Sequence, residues 1–155
     1  MAPKKRKDGE FTSINIESLN INGISTVKMV LFEDYVIETM PDVIGLQETK
    51  VNIDNLPPSM DIAGYNHAVN ERSSDNKPGG GLAIYWKDTL PGKIWSNPKL
   101  KPESKAKTEI IWLLIEAGDS RLAIVNVYMA CTSTKNRNYI DWNTEIYNQL
   151  NEDIA

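Results

Sequence analysis

Between Pro41-Asp42 and Glu48-Thr49-Lys50 the chain carries Val43-Ile44-Gly45-Leu46-Gln47, where four of the five residues are apolar or glycine. A strand with one wet face would alternate apolar and polar positions; this run does not, so both of its faces must be covered. Such a strand belongs inside a layered α/β domain. The preceding segment fits that setting. Ile14, Ile16 and Leu19 mark a first strand closed by Asn22-Gly23, and Ser25 stands as an N-cap. Met29, Phe32, Val36 and Met40 then fall on one helical stripe that Pro41 ends. The opening order is therefore strand, helix, strand. With 155 residues, 41% of them apolar, the chain has enough material for one domain with a core of its own.

Downstream, a loop containing Pro57-Pro58 leads to Gly64-Tyr65 and a polar stretch from Asn70 to Pro78. Gly79-Gly80-Gly81 then enters Leu82-Ala83-Ile84-Tyr85-Trp86, and glycines there suit a close backbone approach or a sharp entry into a strand. Thr108 to Glu116 and Leu122 to Tyr128 are two apolar runs joined by Gly118-Asp119-Ser120, which predicts a β-hairpin. Trp142, Ile146, Leu150 and Ile154 recur every four residues and mark a last amphipathic helix from about Asn138. The fold class expected is α/β, with a mixed, mostly antiparallel sheet and helices on its outer face.

Composition excludes several functions. No apolar run approaches the roughly 20 residues of a membrane helix, so no membrane partner is expected. One cysteine, Cys131, cannot close an internal disulfide, and one histidine, His67, cannot supply a histidine-based zinc site. Residues 1–11 differ from the rest: Pro3-Lys4-Lys5-Arg6-Lys7 resembles a viral-type nuclear import signal followed by a cloning linker, which implies nuclear localisation and a tag separate from the domain. Residues 12–155 form the body. The whole chain has a net charge of −4, and without that arm the body holds 13 basic against 19 acidic residues. A body of that sign does not bind nucleic acid by bulk charge; it needs a local site in which a metal or a few cations offset the repulsion.

Three polar residues stand at strand ends, where the loops of α/β proteins usually hold their chemistry. They are Asn20, Glu48 and Tyr128. A carboxylate emerging from a buried strand is costly unless it meets a cation, and a carboxylate beside an amide oxygen suits Mg²⁺, which accepts one or two protein carboxylates and keeps its waters for a phosphate. A tyrosine hydroxyl can donate to a phosphate oxygen. Each residue also has a plain structural reading. Asn20 and Asn22 could make an Asx turn, Glu48 could cap a loop or pair with Lys50, and Tyr128 could be a half-buried strand aromatic.

Read together, the motifs resemble the endonuclease/exonuclease/phosphatase superfamily. Leu19-Asn20-Ile21-Asn22-Gly23 is similar to its opening strand, and Pro41 to Lys50, PDVIGLQETK, to the segment with its metal-binding glutamate. Gly79 to Tyr85, GGGLAIY, and Val125 to Tyr128, VNVY, are similar to its next signposts in the same order. GGGLAIY and NVYMACTSTKNR most resemble the endonuclease domain of LINE-type, non-LTR retrotransposons, whereas PDVIGLQETKV is as close to exonuclease III-type repair enzymes acting at abasic sites.

The resemblance implies a divalent metal, Mg²⁺ or Mn²⁺, on Glu48 with Asn20 helping to place it, and Tyr128 touching the scissile phosphate of DNA. It also implies half of a two-sheet α/β sandwich. The family's Gly-Asp-x-Asn strand and Asp-His pair have no counterpart in these 155 residues. The chain alone is therefore expected to be inactive, and to leave the apolar faces of Ile110 to Ile115 and Leu122 to Val127 open to a C-terminal half or a second copy. Asp141-Trp142-Asn143 has a partly matching spacing but lies on the last helix, and His67 is expected in a loop. A noncatalytic nuclear interaction module is the reading from a different class.

Overall fold

The computed structural model describes residues 13–52, 59–72, 79–131 and 137–155. The basic arm, the Pro57-Pro58 loop and most of the polar stretch up to Pro78 lie outside the described residues. The chain opens with β1 (Ile16–Asn20), α1 (Thr26–Thr39) and β2 (Val43–Gln47). Ser25 caps α1 as expected, its Oγ accepting from the Lys28 N–H at 3.3 Å. Met40 is not part of the buried stripe. It takes a left-handed conformation, φ 47°, closes the helix through its N–H to Val36 O, and is exposed. The helix must end there, because Pro41 disfavours a helical conformation in the residue before it.

Next come β3 (Tyr65–Asn70), β4 (Leu82–Lys87) and β5 (Gly92–Trp95), a short helical turn α2 (Ala106–Glu109), the hairpin β6 (Ile110–Ala117) and β7 (Ser120–Val127), and α3 (Arg137–Ile154). One sheet runs β1-β2-β4-β3, with β1 and β2 parallel and the other pairs antiparallel; the second runs β5-β6-β7. The hairpin turn needs only Gly118 and Asp119, with Gly118 at φ 59°, since Ala117 pairs with Ser120.

The order of layers is α1, first sheet, second sheet, α3. Met29, Phe32 and Val36 of α1 pack on Ile44, Leu46, Ala83 and Tyr85. Val43, Leu82, Ile84 and Trp86 meet Ile111, Leu113 and Ile115 between the sheets. Trp142 and Ile146 of α3 cover Ile110, Trp112 and Val127 on the far side. The expectation of an open hairpin face is thus corrected for β6, because the hairpin folds back onto the first sheet and buries its alternate residues. On β7 Leu122 and Val125 remain exposed, but strand alternation puts them on opposite faces, so they do not form the single open face expected. On α3, Ile154 departs from the expected stripe, being 72% exposed in the last turn. Among the described residues no helix is long and apolar enough to cross a membrane.

Candidate functional site

The ends of β1, β2 and β4 meet at one edge of the first sheet. The parallel register sets Asn20 beside Gln47, so Glu48 is the first residue past the neighbouring strand end. The Glu48-Thr49-Lys50 segment is stitched on both sides. Gly23 N–H donates to Glu48 O (2.6 Å) and Ile24 N–H to Thr49 O (2.8 Å), while Thr49 and Lys50 donate to Gly81 O (3.1 Å) and Gly80 O (2.9 Å). Those bonds hold Glu48 at φ 53°, Lys50 at φ 54° and Asn22 at φ 48°, left-handed conformations that cost non-glycine residues about 1 kcal/mol or more each. Such strain turns the Glu48 side chain out of the strand's alternation.

Asn20 is exposed, and its Oδ1 accepts from the Asn22 N–H at 3.1 Å. The Asx turn is therefore present, and the oxygen's second lone pair is still available in principle to a cation. The Lys50 ammonium donates to Asn22 Oδ1. Glu48 is half-buried and lies near enough to Tyr128 for its carboxylate to raise the phenol's pKa, so the strand-end carboxylate and the third candidate residue are brought together. Burial raises the Tyr128 pKa most, and the negative charge of Glu48, its hydrogen bond and the charge of Glu109 raise it further. The phenol is therefore held neutral, as a donor.

The glycine run is where Tyr128 fits. A Cβ on Gly79 would fall 2.1 Å from the Tyr128 hydroxyl oxygen, and one on Gly81 would fall 2.6 Å from Thr49 Oγ1. Gly81 also needs its φ of 83°. Sequence reasoning missed Glu109, which is fully buried, faces Tyr128 electrostatically and accepts from the Tyr128 N–H through its backbone oxygen at 3.0 Å. The signal was there: like Glu48, it is a carboxylate at the boundary of an apolar strand. His67 is corrected from a loop to β3, where it stacks on Tyr85 with ring centroids 5.3 Å apart. Asn143 has a structural partner, accepting from Ala130 N–H (3.0 Å) and donating to Ala130 O (2.7 Å), which fastens the segment after Tyr128 to α3.

Among the described residues no three His, Cys, Asp or Glu side chains are gathered into a metal cluster. One carboxylate, Glu48, with the Asn20 amide oxygen on the adjacent strand end nevertheless fits the sparse protein donor set that Mg²⁺ accepts. The profile of the Endonuclease/Exonuclease/phosphatase family matches residues 18–124, more than half of the chain and the whole stretch from β1 into β7. The chain belongs to this family. No curated protein matches it. Among solved structures, the endonuclease/exonuclease/phosphatase fold seen here is similar to an AP endonuclease from Archaeoglobus fulgidus (TM-score 0.64, 21% identity, 92% of this chain and 53% of that one). It is also similar to the 3′ phosphatase NExo from Neisseria bound to a product DNA hairpin (0.61, 19%, 92% and 51%). A third is the endonuclease domain of TRAS1, a telomere-specific non-LTR retrotransposon (0.57, 13%, 92% and 55%). The chain spans about half the length of these structures.

Proposed function

We propose that this chain contributes the Glu48 side of a divalent-metal centre that hydrolyses phosphodiester bonds in DNA, as in retrotransposon target-site nicking. The observation that carries this reading is the Glu48 carboxylate, turned out of β2 in a left-handed conformation beside the end of β1 and close enough to Tyr128 to raise its pKa. Glu48 and Asn20 would hold Mg²⁺ or Mn²⁺, which when bound supplies charge stabilisation at the phosphate and the leaving oxygen. Tyr128, kept neutral by burial and by Glu48, donates its hydroxyl proton in a hydrogen bond to a non-bridging phosphate oxygen. The Gly79 to Gly81 turn leaves room for that hydroxyl. In the reaction, the water oxygen bonds to phosphorus, the bond from phosphorus to O3′ breaks, and one of the water's protons ends on O3′, leaving a 3′-hydroxyl and a 5′-phosphate that keeps the water's oxygen. The sequence contains no Asp-His pair to activate that water.

The second reading is cleavage at abasic sites, favoured by the fold's likeness to the Archaeoglobus AP endonuclease. Exposed Ile16 and Leu19 on β1, with Leu122 and Val125 on β7, supply apolar surface for a further half-domain or a second copy. The arm Pro3 to Lys7 would act as a nuclear import address. Titrating the labelled chain with Mg²⁺ and duplex DNA, intact or abasic, tests the proposal by amide shifts. Changes at residues 20–23, 48–50, 79–81 and 128–131 are expected, stronger with the preferred duplex. A response confined to other surfaces contradicts it.

A further inference from the structure

Beneath the strand ends runs a chain of side-chain hydrogen bonds whose members neighbour all three candidate residues in sequence. Ser18 Oγ of β1 donates to Gln47 Oε1 of β2 at 3.2 Å. Gln47 Nε2 donates to Asn126 Oδ1 of β7 at 2.5 Å and to Gly45 O at 3.3 Å. Asn126 Nδ2 then donates to Leu46 O at 3.0 Å and Ala83 O at 2.8 Å, carbonyls of two register partners in β2 and β4. Asn126 is only 4% exposed, with both its carboxamide oxygen and its nitrogen engaged. Its orientation is fixed, because a flipped carboxamide would aim oxygen at two carbonyls and nitrogen at the Gln47 nitrogen. Gln47 is in turn oriented by Asn126.

Each member of the network stands one or two residues from a site residue: Ser18 from Asn20, Gln47 from Glu48, Asn126 from Tyr128, and Ala83 from Gly81. The ladder continues past β7 through the bond from Tyr128 N–H to Glu109 O, so strand alternation puts Asn126 and Tyr128 on the same side. Room for the carboxamide comes from Gly45, the glycine inside the buried strand. A Cβ there would lie 3.0 Å from Asn126 Cγ and 3.1 Å from its Oδ1.

We infer that Asn126 is a positioning residue, which through Gln47 and the β2 and β4 carbonyls sets the separation of the Tyr128 hydroxyl from the Glu48 carboxylate. An apolar side chain at this depth would fill the same space without desolvation cost, so the polar choice points to register rather than to bulk stability. The inference rests on the metal-centre reading for its consequence, though its geometry can be tested without metal.

The test uses the metal-free chain with ¹³C-labelled tyrosine rings, the Tyr128 signal being assigned by its loss in Tyr128→Phe. In Asn126→Leu and in Gly45→Ala the Tyr128 ring resonances should move, while Leu113→Val, an alteration of the same inter-sheet core, should leave them in place. Mn²⁺ affinity should fall about 10- to 100-fold in both network variants, the usual effect of removing a group that orients a ligand. Tyr128 resonances coincident with wild type in either variant, folded, would overturn the inference; if Asn126→Leu does not fold, Gly45→Ala decides. Displaced Tyr128 resonances in a protein whose Mn²⁺ binding is indifferent to Glu48→Gln would leave the positioning role standing and remove the metal-centre reading.

Discussion

At the ends of β1, β2 and β4 the chain places Asn22, Glu48 and Lys50 at positive φ beside Gly80 and Gly81, and it lays polar side chains across the sheet beneath them. The layer of β6, β7 and α3 does the reverse. Ile111, Leu113 and Ile115 are 3%, 0% and 2% exposed, Ile146 is 0% exposed, and among the described residues positive φ occurs there only at the turn residue Gly118. The second region is shaped by burial, apart from Asn126 of β7, whose carboxamide joins the polar side chains of the first. The first holds conformations that burial would not choose, which is how residues kept for chemistry differ from residues kept for stability. Substitutions in the two regions should therefore separate stability from metal binding.

The largest stability effect is expected in the regular layer. Ile146→Ala removes a fully buried side chain packed against Ala106 and Trp142 and should cost roughly 2–5 kcal/mol by urea denaturation, with Mn²⁺ affinity retained wherever the variant is folded. A loss below 1 kcal/mol would show that α3 is not part of the cooperative core. Gly81→Ala comes next. Its positive φ and the 2.6 Å approach to Thr49 Oγ1 should cost about 1–3 kcal/mol, whereas Gly118→Ala, with open space around it, should cost only about 1 kcal/mol. Equal losses at the two glycines would erase the contrast between the regions.

The regular layer was also the more legible one. The hairpin and the α3 stripe of Trp142, Ile146 and Leu150 follow from apolar spacing, a signal that repeats over many residues. The short strands β3 and β5 were not marked, because Tyr65–Asn70 and Gly92–Trp95 pair at sheet edges with only partly buried side chains. At the site, Asn20, Glu48 and Tyr128 could be named from strand ends and motif wording. The left-handed backbone at Glu48 could not, since nothing about a glutamate announces positive φ. The Ser18, Gln47 and Asn126 chain was hidden for another reason: it links residues up to 79 positions apart, and no local pattern carries such a contact.

Glu48→Asn offers a sharper and smaller effect. Asparagine tolerates the left-handed region better, so stability should rise by about 1 kcal/mol while metal binding is lost. A destabilised variant would mean that the glutamate serves the fold. The smallest change is with pH. Burial, with the charges of Asp42 and Glu17, pushes the Tyr65 phenol up to about 12, and its hydroxyl donates to Pro41 O at 2.7 Å. A folded-state pKa above the unfolded value means that this contribution is fully present below about pH 10 and is lost as pH rises through 12. Urea midpoints should fall over that window and less so in Tyr65→Phe; identical alkaline profiles would contradict the assignment.

The central claim is that Glu48 and its neighbours form a divalent-metal centre. Paramagnetic broadening by Mn²⁺ in amide spectra tests it most directly. Weak binding, roughly millimolar for a site with one carboxylate, should broaden signals of residues 20–22, 48–50 and 128 first and should disappear in Glu48→Gln. Broadening that survives Glu48→Gln, or that centres on the acidic residues of α3 instead, would contradict the account.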